Sequence, residues 1–471
     1  MKWDHIIRNG TIVGEDRVYP GDIYVKDGRI AAITCCPLEG EADQITDAAG
    51  KLIFPGFIET HAHSRDGYLS TGEKEDFASS TAAAAATGIT TLLEMPNCTP
   101  PTYDAEKVRQ LVEQITPKAH VDFGVWGLAA GKLNQAQLQA MADAGVIGFK
   151  FFWGYAVKAD DFQLIYNYTP DMQGVMPPPD DGEIYQMFRE IRKTGKLVAI
   201  HAENFSMIKA LTEEVRSSGE ETYDALLRTR PVCSETSIID CAIDMAQQLD
   251  LKLHILHVGA GADVEHIRRA KAQGLDISAE TCSHYLALTD QDYPRMGAVM
   301  KTYPLVRTEA DRKEVWNGLL DGTLDWVCSD HAPHTWQDKQ KNVWNAPAGI
   351  SGMEALSPVL LTAVNDGVLT PCQAAAVGAG NAAKRFGLYP RKGVIQVGAD
   401  ADLAIVDMKK NYIFDQAKMH SKAKWSPYNG MTFRGAVVKT ILRGRTIMEE
   451  GKVLDLRQGQ FVRGGQMHED S

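Results

Sequence analysis

The stretch Ile58–Gly67, IETHAHSRDG, places two histidines one residue apart at the end of an apolar run. If this run is a β-strand, His61 and His63 project from the same face, because side chains i and i+2 share a face. Their backbone positions are then about 7 Å apart at the usual rise per residue. An isolated pair of this kind is more often a pair of surface histidines. It indicates a metal site only if other strands supply further ligands.

Seven further strand-like segments follow along the chain, separated by helix-like stretches. One such stretch, 262–274, has Val264 and Ile267 on one side and charged residues on the other, as in an amphipathic helix. The alternation predicts an α/β protein with a (β/α)8 TIM-like barrel, and a doubly wound sheet is the alternative. The eight strand-like segments are 56–63, 90–96, 121–129, 146–152, 196–203, 252–259, 276–286 and 325–333.

Both ends of the chain differ from the middle. Hairpin signals occur at Asn9-Gly10 and Asp27-Gly28, and glycine-broken strand segments recur at 398–408 and 436–454. We therefore predict a small β-sandwich module formed from both chain termini. The polar segment after Leu456 is expected to be loose or to wrap a neighbouring subunit. The predicted domains are 1–54, the first part of the β-sandwich; 55–388, the barrel; 389–456, the second part of the β-sandwich; and 457–471, a polar C-terminal tail.

The composition narrows the class of protein. The 471 residues include 49 basic and 61 acidic side chains, a net charge of −12, which argues against a nucleic-acid or membrane-surface binder. Charged and polar residues interrupt the first segment, MKWDHIIRNGTIV, so it does not resemble a signal peptide. The eight cysteines are scattered and form no C-x-x-C pair, which is typical of reduced thiols. We predict a cytoplasmic enzyme with a small-molecule substrate, without a nucleic-acid or membrane partner.

Residues suited to metal binding stand near the ends of five predicted strands. The carboxyl ends of the strands form the active site of a (β/α)8 barrel, so these side chains would converge. Imidazole and carboxylate suit zinc, with manganese, iron or cobalt as alternatives. Four histidines and one aspartate exceed the needs of one tetrahedral ion with an open position, so we predict two divalent ions. The residues are His61, His63, Lys150, His201, His257 and Asp330.

Lys150 stands in the apolar and aromatic segment VIGFKFFWGY, residues 146–155. Burial lowers the pKa of a lysine, and a neutral amine can add carbon dioxide to become a carbamate. The two carbamate oxygens would serve one metal each. The alternative is an ordinary lysine that reaches solvent, which this apolar setting disfavours. We therefore predict a carbamate on Lys150 that bridges the two ions.

The order H-x-H, K, H, H, D along the barrel resembles the amidohydrolase superfamily. Segments such as TTLLEMPNCTPPT, AIHAEN and CSDHAPH resemble its cyclic amidohydrolase branch, which contains hydantoinases, dihydropyrimidinases, allantoinases and dihydroorotases. The resemblance covers essentially the whole chain. It implies a lysine carbamate and a hydroxide between two ions, with these ligands: His61, His63 and Asp330 on the more buried metal, and His201 and His257 on the other.

The resemblance also implies hydrolysis of a ring C–N amide bond (EC 3.5.2.-). Asp330 would take the proton from the attacking hydroxide and pass it to the leaving ring nitrogen. Two other classes are disfavoured. Members of this fold that serve as assembly proteins lack metal ligands, whereas all six are present here. A deaminase of the superfamily is not expected to have a lysine on the fourth strand, where Lys150 stands.

Residues around the ligands give mixed indications about the ring. Arg65, Asn97 and His334 match positions that hold the substrate carboxylate in dihydroorotases. However, the segment after the two histidines reads RDGYLS instead of continuing with proline and glycine. Tyr303, in YPLVR, stands where dihydroorotases usually have asparagine. These departures disfavour dihydroorotate as the substrate.

Tyr155, five residues after Lys150, matches the hydantoinase tyrosine that hydrogen-bonds the substrate and the developing oxyanion. The alternative role for Tyr155 is simple aromatic packing. We therefore predict a hydantoinase- or allantoinase-type hydrolase of a cyclic ureide or imide, with dihydroorotase as the second choice. On this reading Arg65 pairs with a protein acid, Asp66 or Glu73. We expect a homodimer or homotetramer.

Overall fold

The structure is a computed structural model that describes residues 2–166 and 168–465. Its strands are β1 (Lys2–Val13), β2 (Val18–Lys26), β3 (Arg29–Thr34), β4 (Glu41–Asp47), β5 (Leu52–Pro55), β6 (Phe57–Ala62), β7 (Ile89–Glu94), β8 (Asp122–Val125), β9 (Gly127–Ala129), β10 (Phe149–Phe152), β11 (Ala156–Lys158), β12 (Leu164–Ile165), β13 (Val175–Met176), β14 (Val198–His201), β15 (Leu253–Ile255), β16 (Ile277–Cys282), β17 (Trp326–Cys328), β18 (Leu403–Ile413), β19 (Thr432–Leu442), β20 (Arg445–Glu449) and β21 (Lys452–Val453). Its α-helices are α1 (Phe77–Ala86), α2 (Ala105–Ile115), α3 (Leu138–Ala144), α4 (Asp181–Lys193), α5 (Phe205–Ser217), α6 (Tyr223–Thr229), α7 (Cys233–Leu249), α8 (Gly261–Ala272), α9 (Ser283–Ala287), α10 (Tyr293–Met296), α11 (Glu309–Leu320), α12 (Trp336–Lys339), α13 (Leu356–Asn365), α14 (Pro371–Ala375) and α15 (Asn381–Arg385).

Eight parallel strands close into a barrel in the order β6, β7, β8–β9, β10, β14, β15, β16 and β17. Strands β8 and β9 count as one, because only Trp126 separates them and they pair with β7 and β10 on either side. The last strand meets the first just beyond its end: the His63 N–H donates to the His331 carbonyl at 2.8 Å. The predicted (β/α)8 barrel is confirmed, and its closure rules out a doubly wound sheet.

Burial explains the apolar strand segments. Strands β6, β7, β10, β14 and β16 are buried at every residue, because side chains fill the barrel on one face and meet the helices on the other. Helix α8 buries Val264 and Ile267, as its pattern predicts. Among the described residues, no helix is long and apolar enough to cross a membrane.

Strands from both ends of the chain form one nine-stranded sheet. Its order is β21, β20, β19, β18, β5, β1, β2 and β3, with β4 paired to β1. The two ends meet where β5 runs antiparallel to β18. The sheet lies against the barrel, since Thr440 on β19 donates a 2.7 Å hydrogen bond to the Ala85 carbonyl of α1.

A buried charge cluster also joins this sheet to the barrel. Lys392 is 2% exposed, and its Nζ lies 2.6 Å from Asp122 Oδ2 and 2.7 Å from Asp402 Oδ2. Asp400 lies 3.2 Å from the same nitrogen, and Arg443 pairs with Asp122. Asp122 begins barrel strand β8, whereas its partners belong to the C-terminal part of the chain. The cluster therefore links the two parts of the chain electrostatically.

The chain after Leu456 packs on its own barrel. The Gly459 N–H donates to the Ala119 carbonyl at 2.9 Å, and the Val462 N–H donates to the Phe123 carbonyl at 2.7 Å. Val462 is 2% exposed and joins the core. The expectation of a loose or neighbour-wrapping tail is therefore wrong for residues 459–462, because apolar Phe461 and Val462 have a place beside β8. The last residues of the predicted tail, 466–471, lie outside the described residues.

Candidate metal centre

The six predicted ligand residues converge at the carboxyl end of the barrel. His61, Lys150 and His201 lie within strands β6, β10 and β14, and the other three follow strand ends. All six are buried, none more than 7% exposed. His257 and Asp330 adopt positive φ angles of 40° and 43°, a region that only a few per cent of non-glycine residues enter. Backbone strain of this kind concentrates at functional sites, where the surrounding structure holds it in place.

One group of ligand atoms consists of His61 Nε2, His63 Nε2 and Asp330 Oδ1. Each imidazole nitrogen lies 3.3 Å from the aspartate oxygen. The opposite nitrogen of each ring is engaged: His61 Nδ1 lies 2.6 Å from Glu280 Oε1, and His63 Nδ1 lies 2.6 Å from Asn97 Oδ1. These acceptors require an N–H on Nδ1, which leaves a lone pair on Nε2 of each neutral ring. Two lone pairs therefore face a carboxylate oxygen, an arrangement that a cation would stabilise.

His201 and His257 form the second group. His201 Nδ1 lies 3.0 Å from His257 Nε2, while His201 Nε2 lies 2.8 Å from Glu203 Oε2. The Glu203 carboxylate requires an N–H on Nε2, so neutral His201 presents its lone pair at Nδ1. Arg230 pairs with the other oxygen of Glu203 and fixes that carboxylate. The donor set of this group also fits a metal ion.

Lys150 lies among these ligands without a counterion. It is 1% exposed, and no carboxylate oxygen in the described residues lies within 4.0 Å of its Nζ. The nitrogen lies 4.7 Å from the centre of the Phe152 ring. Burial lowers the pKa of Lys150 to about 8, although nearby Asp330 and Glu280 oppose the shift. At pH 7 a pKa of about 8 leaves about a tenth of Lys150 as the neutral amine that reacts with carbon dioxide.

His63, His257 and Asp330 have the protonation states that metal ligands need. Burial lowers the pKa of His63 to about 4, so its ring is neutral at pH 7. Burial, with nearby His201 and Lys150, also lowers the pKa of His257 well below its usual range. For Asp330, burial acts in the opposite direction, but His61 and His63 outweigh it and hold the pKa of the carboxyl well below its usual range. The site therefore presents neutral imidazoles at His63 and His257 and an ionised carboxylate at Asp330.

The predicted substrate contacts lie around this cluster. Arg65, Asn97 and Tyr155 line a cavity of about 70 Å³ together with the metal-site residues. His334 lies instead in the wall of an adjoining cavity of about 690 Å³, which Arg65 and Asn97 also line. Asn97 has a second contact, since it holds His63. The Tyr155 hydroxyl lies 3.2 Å from His201 Nε2, at the edge of the smaller cavity.

The expected ion pair of Arg65 with Asp66 or Glu73 is wrong. The Arg65 Nη1 donates to the Pro333 carbonyl at 2.5 Å, and no carboxylate of the described chain lies within ion-pair distance of the guanidinium. Asp66 instead pairs with Lys118 at 2.7 Å. The cause is the backbone, since Arg65 adopts a φ of 52° and its side chain lines both cavities.

Sequence reasoning missed the acids behind the ligands. Glu280 on β16 is fully buried and accepts hydrogen bonds from Thr60 Oγ1 at 2.7 Å and Trp326 Nε1 at 2.8 Å, besides its contact with His61. Glu203 plays the same part for His201. A signal was present, because Glu280 stands in the buried segment ISAETC. A charged residue inside an apolar strand is as unusual there as Lys150 is in its own strand.

Comparison with known proteins agrees with this geometry. The model of the Amidohydrolase family matches residues 52–447. An L-hydantoinase from Paenarthrobacter aurescens is 34% identical over 465 residues, with 98% of each chain covered. An allantoinase from Rubrobacter xylanophilus is 37% identical over 466 residues, again with 98% of each chain covered. The solved structure of an L-hydantoinase (dihydropyrimidinase) from Arthrobacter aurescens superposes with a TM-score of 0.91 at 34% identity, covering 98% of this chain and 100% of that one. The chain therefore belongs to the amidohydrolase family.

Proposed function

We propose that this protein is a metal-dependent cyclic amidohydrolase that opens the ring C–N amide bond of a cyclic ureide or imide, as a hydantoinase or an allantoinase does. The proposal rests on one observation. Two groups of residues with lone pairs suited to metal binding lie around a buried lysine that has no counterion among the described residues. His61, His63 and Asp330 form one group, and His201 and His257 form the other. Full-length relatives that are hydantoinases and allantoinases support the same reaction class.

The six residues would hold two divalent ions, with zinc as the first choice and manganese, iron or cobalt as alternatives. His61, His63 and Asp330 would hold one ion, and His201 and His257 the other. Lys150, as the carbamate formed from its neutral amine and carbon dioxide with loss of a proton, would donate one oxygen to each. When bound, two such ions supply a hydroxide near neutral pH and polarise the ring carbonyl.

Asp330 and Tyr155 are the residues proposed to act on the substrate. Asp330 is ionised, so it can take a proton and deliver it to the leaving ring nitrogen. Burial raises the pKa of Tyr155 well above its usual range, so the phenol keeps its proton. The nearby His201 Nε2–H is directed to Glu203, which leaves the Tyr155 hydroxyl free to donate to a carbonyl oxygen as it gains charge.

The position of Arg65 favours a second candidate function, that of a dihydroorotase. Its guanidinium lines both cavities and has no carboxylate partner among the described residues. A ring with a carboxylate substituent would supply that partner, as dihydroorotate does. We rank this second, because the relatives at 33–37% identity are hydantoinases and allantoinases and because Tyr155 lies beside the ligands.

We extend the proposal to the organisation of the chain. The nine-stranded sheet supports a β-sandwich module made from residues 1–54 and 389–456, around a barrel at 55–388 and before the tail at 457–471. All eight cysteines are free thiols, which fits a reducing cytoplasm. The proposed assembly is a homodimer or homotetramer, which light scattering of the purified protein tests.

A substrate panel tests the function. The zinc-loaded protein is assayed with hydantoin, 5-substituted hydantoins, dihydrouracil, allantoin and dihydroorotate, with the Lys150→Ala protein as the control for contaminating activity. We expect turnover of a neutral ring to exceed that of dihydroorotate. Faster turnover of dihydroorotate would promote the second candidate, and no turnover of any ring would refute the proposal.

A further inference from the structure

Two buried lysines lie beside the catalytic cavity without acidic partners. Lys301 and Lys339 are 3% and 2% exposed. Neither forms an ion pair with a carboxylate of the described residues, although a buried ammonium normally needs compensation. Both instead donate to backbone carbonyls of the segment 343–349 or its neighbours. Neither lysine has a role in the proposed chemistry.

The contacts of Lys339 join two walls of the cavity. Its Nζ lies 3.1 Å from the Lys301 carbonyl, 3.0 Å from the Pro347 carbonyl and 3.0 Å from the Gly349 carbonyl. Three acceptors around one nitrogen match the three N–H donors of an ammonium group, which a neutral amine does not have. The Trp425 ring, 5.3 Å away, covers the same charge. Burial and nearby Lys301 act against the charge and lower the pKa of Lys339 well below its usual range. The three carbonyl acceptors favour the protonated form, and on this geometry Lys339 binds the two segments as a tethered cation.

Both segments line the cavity that contains the proposed metal ligands. Thr302 and Tyr303 form one side, and Ala348 and Gly349 form another. The Gly349 N–H also donates to the Lys301 carbonyl at 3.0 Å. A backbone hydrogen bond and the Lys339 contacts therefore join the same two segments.

Lys301 holds the outer part of the same wall. Its Nζ lies 2.7 Å from the Val343 carbonyl and 2.6 Å from the Ala346 carbonyl. Residues 344–348 line the larger cavity of about 690 Å³. The two lysines thus satisfy several carbonyls along the segment 343–349, which has no strand or helix of its own.

We propose that Lys339 is a positioning residue for ring hydrolysis, which acts as a fixed cation that holds the walls 301–303 and 347–349 at the spacing the substrate ring requires, with Lys301 securing the outer wall. This inference depends on the proposed function in one respect, which is the place where the substrate ring binds. A wall that moves by about 1 Å misplaces the ring against its reacting groups, which costs up to about 10²-fold in rate.

Chemical rescue tests the cation. Lys339→Ala removes three carbons and the ammonium nitrogen, which propylammonium replaces atom for atom. With the best ring substrate, we expect KM to rise and kcat/KM to fall by about 10- to 10²-fold, with metal content unchanged. Propylammonium should restore KM, whereas tetramethylammonium, which has no N–H donor, should not. Lys341→Ala, which removes an exposed lysine paired with Asp338, is the matched control and should leave both constants unchanged. A wild-type KM in Lys339→Ala, or no recovery with propylammonium, would overturn the proposal.

Amide hydrogen exchange tests the same claim without turnover, including the case in which Lys339→Ala does not fold. Lys339→Arg keeps the charge, but its planar guanidinium does not match three carbonyls around one nitrogen. We expect exchange at 343–349 to be faster in Lys339→Arg than in wild type, with exchange in strand β14 unchanged. Equal exchange at 343–349 in the two proteins would refute the positioning role of Lys339 even if ring hydrolysis is confirmed. Faster exchange in Lys339→Arg, together with a wild-type protein that opens no ring, would refute the proposed ring hydrolysis but not the role of Lys339 in holding the two walls.

Discussion

Glu280 Oε1 lies 2.6 Å from His61 Nδ1 and so connects strand β16 to β6 behind the proposed metal centre. The contact fixes the tautomer of His61 and directs its Nε2 lone pair toward Asp330. Since Glu280 is fully buried and also accepts from Thr60 and Trp326, it has little freedom to move. The metal centre therefore depends on an acid that is not itself a ligand.

Glu280→Gln should weaken metal binding by about 10- to 100-fold, the usual effect of removing a carboxylate behind a ligating histidine. Competition with a zinc chelator measures the affinity. Glu213→Gln, at an exposed position of α5, is the matched control. An unchanged affinity in Glu280→Gln would show that His61 does not need this partner.

Asp330→Asn should lower kcat by at least about 10²-fold, because the amide keeps an oxygen but cannot accept the proton. Metal content is measured on the same sample, so that loss of an ion is separated from loss of proton transfer. A change confined to KM would contradict the proton-transfer role of Asp330.

Arg65→Met separates the two candidate substrates. If the natural ring is neutral, wild type prefers a hydantoin and the substitution does not selectively penalise dihydroorotate. If the ring has a carboxylate, Arg65 pairs with it, and the loss costs about 2–5 kcal/mol of transition-state binding. The measurement is kcat/KM for both rings in both proteins. Strong dihydroorotase activity that Arg65→Met selectively loses would replace the leading function by the second.

Lys392→Met should destabilise the fold by about 3–5 kcal/mol, because it leaves the buried Asp402 carboxylate without an ion-pair partner and takes one partner from Asp122 and from Asp400. Although burial opposes its charge, Asp122, Asp402 and Asp400 raise the pKa of Lys392 above its ordinary value. Its contribution is therefore fully present below the ordinary lysine pKa of about 10.4 and is lost only as the pH rises through the folded-state pKa.

Denaturant unfolding measures this loss. Lys384→Met, at an exposed pair with Glu15, is the control and should cost about 0–1 kcal/mol. An equal, small effect of both substitutions would show that the buried cluster does not link the barrel to the terminal sheet.

Features with a local sequence pattern could be predicted, and features that depend on distant contacts could not. The eight barrel strands are buried on both faces, so each is a distinct apolar run, and His61, His63 and Lys150 stand out against those runs. The partner of Arg65 depended on a positive φ that the sequence does not display. Lys339 was missed because its partners are backbone carbonyls, which every residue has.

Metal stoichiometry of the purified wild-type protein beside Lys150→Ala tests the central claim most directly. Elemental analysis after expression with supplemented zinc should find about two ions per wild-type chain. The Lys150→Ala chain should hold at most one, because the bridge between the two ligand groups is gone. Wild-type protein without bound metal, or a Lys150→Ala protein that still holds two ions, would contradict a binuclear centre bridged by Lys150.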